Sequence, residues 1–238
     1  MLLGLFPLHI EGLPAPVRTW LLRAGVVGRP PVRSLTARFS GALRGGPADP
    51  WMPLVADEVE TFDPPARVVL IRARRAGVPV LALHRYVGPR ASFEVWLLGA
   101  LRLVDARGPE MDRSETVTLL NDLCLLAPSA LLAMPVRWDA VDDRTARVTL
   151  ENAGQVVRAE LRFDPTGDLA DFVSDDRDRA SPDGRSFERL RWTTPVERPG
   201  TFGPWRLSRV AEARWHPPGG AYAYARFELE ALETDPAR

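Results

Sequence analysis

Along most of this chain apolar and polar residues alternate, and two segments depart from that period. In the first, Val17, Trp20, Leu21 and Ala24 recur at i, i+3, i+4 and i+7, one face of a helix. Pro14 and Pro16 suit its first turn and Gly25 its stop, so a helical segment is predicted over 13–25. In the second, DRSETVTLLNDLCLLAP, turning the chain by about 100° per residue puts Val117, Leu119, Leu120, Leu123, Cys124 and Leu126 on one broad face. Asn121 falls on the narrow remainder and Asp122 at its edge. The pattern predicts a covering helix over 112–127, capped by Asp112 or Ser114 and stopped by Pro128.

The rest reads as strands. Val32–Leu43 alternates, and residues 45–50 form a loop. Trp51, Met52 and Pro53 open an irregular piece carrying Asp57, Glu58 and Glu60. Strands are predicted at Arg67–Arg74, Pro79–Val87 and Ser92–Val104, and then beyond Val136. In that later part, turn residues separate Arg147–Glu151, Val156–Phe163, Leu169–Arg177, Phe187–Val196, Trp205–Trp215 and Tyr222–Leu232. About ten short strands with segregated helices argue for an α+β, mostly β chain rather than a doubly wound sheet. The expectation is a single domain, 1–238, built on one curved antiparallel sheet, a half-barrel or barrel covered by two or three helices.

Composition narrows the chemistry. The 238 residues are 45% hydrophobic and 26% charged, as in ordinary globular proteins. Net charge is +0, which gives no field for nucleic acid, and none is expected as a partner. All the basic residues are Arg, which excludes Schiff-base lysine chemistry and a phosphate-loop lysine. Cys124 is the only cysteine, so no internal disulfide or cysteine zinc cluster forms. His9, His84 and His216 lack metal-ligand spacing and read as structural or exposed. No metal and no cofactor are expected. No apolar run reaches the roughly 18 residues of a transmembrane helix. The start, MLLGLFPLHI, lacks a basic leader region and is broken by Gly4 and Pro7, so the expected compartment is the cytoplasm.

Four segments carry a resemblance: NDLCLLAP (Asn121–Pro128), the run Val157–Arg177, RWTTP (Arg191–Pro195) and ARWHPPGGAYAYARFELE (Ala213–Glu230). Together they resemble an uncharacterised bacterial family with the motif order N-D-x-C-x-x-A-P, F-x-x-x-D-R, R-W-[ST]-T-P and Y-x-x-F. The likeness runs from about Trp51 to near the end. A bulky aromatic often precedes the family's Ala-Pro, where this chain has Leu125 and Leu126. The family's architecture is similar to the curved sheets of lipoprotein carriers, which hold acyl chains between a half-barrel and its helices. The resemblance implies no particular chemistry.

The residues themselves single out three groups. Asn121 and Asp122 either satisfy backbone groups of a neighbouring loop or face a cavity, where burial would raise the Asp122 pKa toward neutrality. In SDDRDR, alternation puts Asp175 and Arg177 on one face and Ser174 and Asp176 on the other, one of them meeting the core. Trp51, Trp96, Trp138, Trp192, Trp215 and Tyr86 are core packing or the rim of a hollow. Tyr222 and Tyr224 share a face opposite Ala221, Ala223 and Ala225. The leading expectation is a binding protein for a hydrophobic small molecule, lipid-like or polyketide-like, held between sheet and helix. Leu123, Leu126, Arg191 and the aromatic set would line the cavity. The alternative is a cofactor-independent cyclase, isomerase or lyase. It would use Asp122 with Asp176 or Asp175 for proton transfer, Arg177 or Arg191 for charge stabilisation and Asn121 beside them.

Overall fold

The computed structural model describes residues 10–236; the apolar start at residues 1–9, including His9, lies outside them. Helix α1 spans Ala15–Arg23 and buries Pro16, Val17, Trp20 and Leu21, the face its spacing predicts. Six antiparallel strands then meander: β1 (Val32–Leu43), β2 (Met52–Phe62), β3 (Pro65–Arg75), β4 (Val78–Val87), β5 (Arg90–Leu97) and β6 (Leu101–Arg107). Helix α2 (Pro109–Leu125) and a short 3-10 helix (Ala130–Ala133) follow.

A second meander runs through β7 (Val136–Asp142), β8 (Thr145–Asn152), β9 (Gln155–Phe163) and β10 (Leu169–Ser174). After a small ribbon, β11 (Asp178–Ala180) and β12 (Phe187–Arg189), come β13 (Trp192–Thr193), β14 (Val196–Phe202), β15 (Trp205–Trp215) and β16 (Tyr222–Pro236). Among the described residues the main sheet has fourteen strands, not ten. Thirteen lie in one continuous order, β6-β5-β4-β3-β2-β1-β16-β15-β13-β10-β9-β8-β7, and β14 pairs with β15. It is a curled antiparallel half-barrel, as the alternation predicts.

The two meanders join through β1 and β16. A bulge between Arg38 and Phe39 adds local twist there. Gly41 lets the strands approach, since a Cβ on it would stand 2.0 Å from the Arg226 carbonyl oxygen.

Helix α2 starts three residues earlier than its caps suggest. Gly108, at φ 110°, is the N-cap, and Pro109 opens the first turn. Asp112 does not cap the helix; its Oδ1 accepts from the Ala91 backbone N–H at 2.7 Å, tying the helix start to β5. From Met111 to Leu125 every residue except Arg113 is buried. Leu119, Leu120 and Leu123 are fully enclosed, and each such leucine contributes about 1.5–3 kcal/mol through burial. The helix packs on β5, β6, β9, β10 and β11, which places it inside the curl, between the two meanders.

Four strand expectations need correction. The single strand Phe187–Val196 is broken into β12, β13 and the start of β14, with β12 in the separate small ribbon. The stretch read as irregular after Trp51 is β2, near the middle of the sheet. The single strand Ser92–Val104 is two, split at Leu98 and Gly99, which both adopt positive φ (54° and 69°). The strand expected over Leu169–Arg177 ends at Ser174, whose Oγ turns back to donate to the Arg158 carbonyl oxygen at 2.7 Å.

Candidate functional site

Strand β2 buries Leu54, Ala56, Glu58, Glu60 and Phe62, one face of a period-two pattern. Two carboxylates therefore point inward among apolar neighbours. Across the ladder, Glu60 pairs with Arg67 and Glu58 with Val69 on β3; Val69 pairs in turn with His84 on β4. Above them α2 carries Glu115, Thr118 and Asp122 at i, i+3 and i+7, one stripe of the helix. The curl brings stripe and strands together.

Arg67 is the hub. Its Nε donates to Glu58 Oε1 at 2.6 Å and its Nη1 to Glu115 Oε2 at 3.3 Å. The same Nε lies 2.7 Å from Asp122 Oδ2, but its one proton goes to Glu58, and Asp122 Oδ2 is left without a hydrogen bond. Both carboxyl oxygens of Glu60, which is 0% exposed, also lack a partner. Oxygens of Glu58, Glu60 and Asp122 all lie within 4.8 Å of one another.

A second cation borders the group. The Arg177 guanidinium lies 4.4 Å over the Trp192 ring and 5.9 Å from that of Trp215. Its Nη1 donates to the Ser114 carbonyl oxygen at 3.0 Å and to Thr118 Oγ1, and its Nη2 lies 3.6 Å from Glu115 Oε1. Glu115 thus stands between two guanidiniums. Trp192 Nε1 donates to the Tyr224 hydroxyl at 3.1 Å, and Tyr224 stacks on Trp215 at 5.6 Å.

Burial and charge set the protonation of these groups. Burial, reinforced by Asp122 and Glu58, pushes the Glu60 carboxyl well above the usual range. Asp122 is raised to about 8, chiefly by burial, with Arg67 opposing. Burial also acts to raise Glu115, but His84, Arg67 and Arg177 outweigh it and hold this carboxyl below its ordinary value. His84, packed edge-on against Phe93 at 4.4 Å, falls to about 4, mainly through burial.

Of the residues singled out in the sequence, the structure collects Asp122, Arg177, Trp192, Trp215 and Tyr224 around α2. Tyr222 stands at the edge of this group, accepting from Arg179 Nη1 at 3.1 Å. Asn121 faces away from the carboxylates and donates to Thr194 Oγ1 at 2.6 Å, a satisfied core contact. Asp176 is turned out and accepts from the Arg158 backbone N–H at 2.8 Å. Arg191 and Asp175 form an exposed two-bond pair at 2.8 and 3.0 Å. The acid–base pairing of Asp122 with Asp175 or Asp176 is therefore not assembled, because the chain leaves the strand at Ser174.

The remaining aromatics are dispersed. Trp51 lies at the rim under Arg44 and Arg226, 4.6 and 5.3 Å from its ring centre. Trp96 and Trp138 are half-buried. Tyr86 is fully buried and holds Thr116 and Asn152 at 2.9 and 2.6 Å. Leu123 and Leu126 are core residues. Sequence reasoning missed Glu58, Glu60, Arg67, His84 and Glu115. The available signal was phase: Glu58 and Glu60 alternate with Leu54, Ala56 and Phe62, and Glu115 stands seven residues before Asp122.

The profile of a family of unknown function, DUF6544, matches residues 7–227. The chain belongs to that family. No protein with a curated description matches it in sequence. Among solved structures it is similar to a putative outer membrane lipoprotein-sorting protein domain from Vibrio parahaemolyticus (TM-score 0.47, 10% identity, 85% of this chain and 86% of that one). It is also similar to a DUF1329 family protein from Desulfovibrio piger (0.48, 12%, 93% and 92%). A third is a LolA superfamily protein from Nitrosomonas europaea (0.43, 12%, 93% and 94%). These likenesses are distant, with every TM-score below 0.5.

Proposed function

We propose that the chain binds an apolar small molecule on the inner face of the first meander, beside α2 rather than beneath it. The supporting observation is a second apolar cluster, separate from the main core: Leu54, Ala56, Val69 and Ala73. Its apolar neighbours, Phe39, Leu43, Ile71, Val80 and Phe227, all come from strands and are only half-buried. Register puts them in adjoining rows, with Leu54 opposite Ala73 and Ala73 opposite Val80, then Ala56 opposite Ile71 and Ile71 opposite Ala82. This apolar face runs along β2 and β3 to the Glu58–Arg67–Asp122 group, so an occupant laid in a trough along it would meet aliphatic side chains along its length and polar groups at one end, as small-molecule sites do.

The space beneath α2 offers little room. The helix buries almost every residue against the sheet, and the cavity at its C-terminal end, lined by Trp20, Cys124, Leu125 and Leu207 among others, measures about 20 Å³. That is space for about one water molecule.

The test is titration with the neutral apolar dye Nile red, followed by displacement with dodecanol. The expected result is saturable fluorescence enhancement that dodecanol reverses and that Ile71→Trp, filling the trough at its half-buried rim, weakens at least about tenfold. Equal binding by Ile71→Trp, or none by the unaltered chain, overturns the proposal.

A further inference from the structure

The interior beneath α2 holds more carboxyl groups than guanidiniums. Glu58, Glu60, Glu115 and Asp122 are buried there with Arg67 and Arg177 as their guanidiniums, while Arg38 and Arg72 pair with Asp57 on the opposite face of β2. Ionised together, four carboxylates would exceed two guanidiniums by two charges. The shortfall is localised. Glu58 and Glu115 each receive Arg67, but Glu60 has two oxygens with no hydrogen-bond donor, and Asp122 has one. A fully buried carboxyl with neither oxygen satisfied is rare in folded proteins and calls for a partner.

We propose that Glu58, Glu60 and Asp122 form a binding site for one hard divalent cation, of the Mg²⁺, Mn²⁺ or Ca²⁺ class. The three carboxylates offer oxygens within 4.8 Å of one another, which an ion at about 2.0–2.6 Å from each spans. The donor set is all oxygen, which selects hard cations over zinc or copper. One divalent ion supplies the two missing charges and gives the orphaned oxygens of Glu60 and Asp122 a partner. Arg67, bonded to Glu58 and Glu115 and 2.7 Å from Asp122 Oδ2, holds the ligands in place, as hydrogen-bonding groups around metal sites do. Two strand residues and one helix residue contribute, so the ion would also pin α2 to β2. The site shares Glu58 and Asp122 with the polar end proposed for the apolar ligand, so the ion is tested on its own, with no apolar ligand added.

The experiment uses the whole chain, stripped with a chelator and titrated with MnCl₂ while free Mn²⁺ is followed by electron paramagnetic resonance. The expected result is one equivalent bound per chain, displaced by MgCl₂ or CaCl₂, with a rise in the thermal midpoint on saturation. Glu60→Gln and Asp122→Asn, both close in shape to the native side chains, should each weaken Mn²⁺ at least about tenfold. Asp57→Asn, on the outer face of β2, should leave it unchanged. No Mn²⁺ bound by the unaltered chain, or equal affinity in both inner-face variants, overturns the proposal and leaves two protons as the balancing charge. Should those variants fail to fold, Mn²⁺ broadening of methyl signals in the unaltered chain decides. Broadening centred on Ala56 and Val69, neighbours of Glu58, supports the site, and broadening centred elsewhere refutes it.

Discussion

Arg67 Nε stands 2.7 Å from Asp122 Oδ2 yet gives its only proton to Glu58 Oε1 at 2.6 Å. One guanidinium thus holds two strands and a helix together while leaving one of its neighbours short of a donor. Removing it should be severe. Arg67→Met strips the cation from among four buried carboxylates and is expected to cost about 3–5 kcal/mol, read as a lower urea midpoint. Arg67→Lys should recover only part of this, because an ammonium cannot present the same planar fork to Glu58 and Glu115 at once.

Tyr86 anchors the same helix from a neutral side. Thr116 Oγ1 spends its proton on the Asp112 carbonyl oxygen at 2.9 Å, so the Tyr86 hydroxyl donates to Thr116 and accepts from Asn152 Nδ2. Tyr86→Phe leaves a half-buried Asn152 amide proton and the Thr116 hydroxyl oxygen short of partners. It is expected to cost about 1–3 kcal/mol in denaturant unfolding with an unchanged m-value.

Two aspartates on one hairpin should pull stability in opposite directions with pH. Asp168 is held well below the usual carboxylate range by hydrogen bonds from Arg23 on α1 and Arg206 on β15, against a smaller upward push from burial. Its folded pKa is depressed, so its contribution is present above about pH 4 and lost as pH falls further. Asp168→Asn should cost about 1–2 kcal/mol at pH 7, a value kept modest because both arginines are partly exposed, and the difference should shrink steadily as pH falls from about 4 to 3.

Asp171 is the converse. Burial raises it to about 6, with Arg162 opposing, and one of its oxygens lacks a partner. Between about pH 4 and 6 the folded state holds a proton that the unfolded state has lost, so stability falls as pH rises through that window. Asp171→Asn should therefore stabilise the chain by about 1 kcal/mol at pH 7.5 and be neutral near pH 4. Thermal midpoints of both variants across pH 3–8 check the two signs together.

Much of this architecture was legible because alternation and helical spacing are local. The bounds of β1 and β15, the buried face of α1 and the existence of α2 follow from such patterns. What failed did so for physical reasons. Glu58 and Glu60 break the apolar face of β2, so a central strand resembled a loop. Leu98 adopts a positive φ that nothing in its side chain announces, hiding the β5–β6 turn. Of the site, Asp122 and Arg177 stood out in sequence. Their partners did not, because Arg67, Glu60 and His84 reach them only through the register of three strands and the curl of the sheet, contacts far apart in the chain.

The most direct test of the proposed function is a crystal structure of the chain grown with dodecanol. The expected density is a single extended chain over Leu54, Ala56, Ile71 and Val80, with its hydroxyl at the Glu58–Arg67–Asp122 end and α2 still seated against the sheet. An empty trough at saturating dodecanol, or density confined to some other surface, would contradict it.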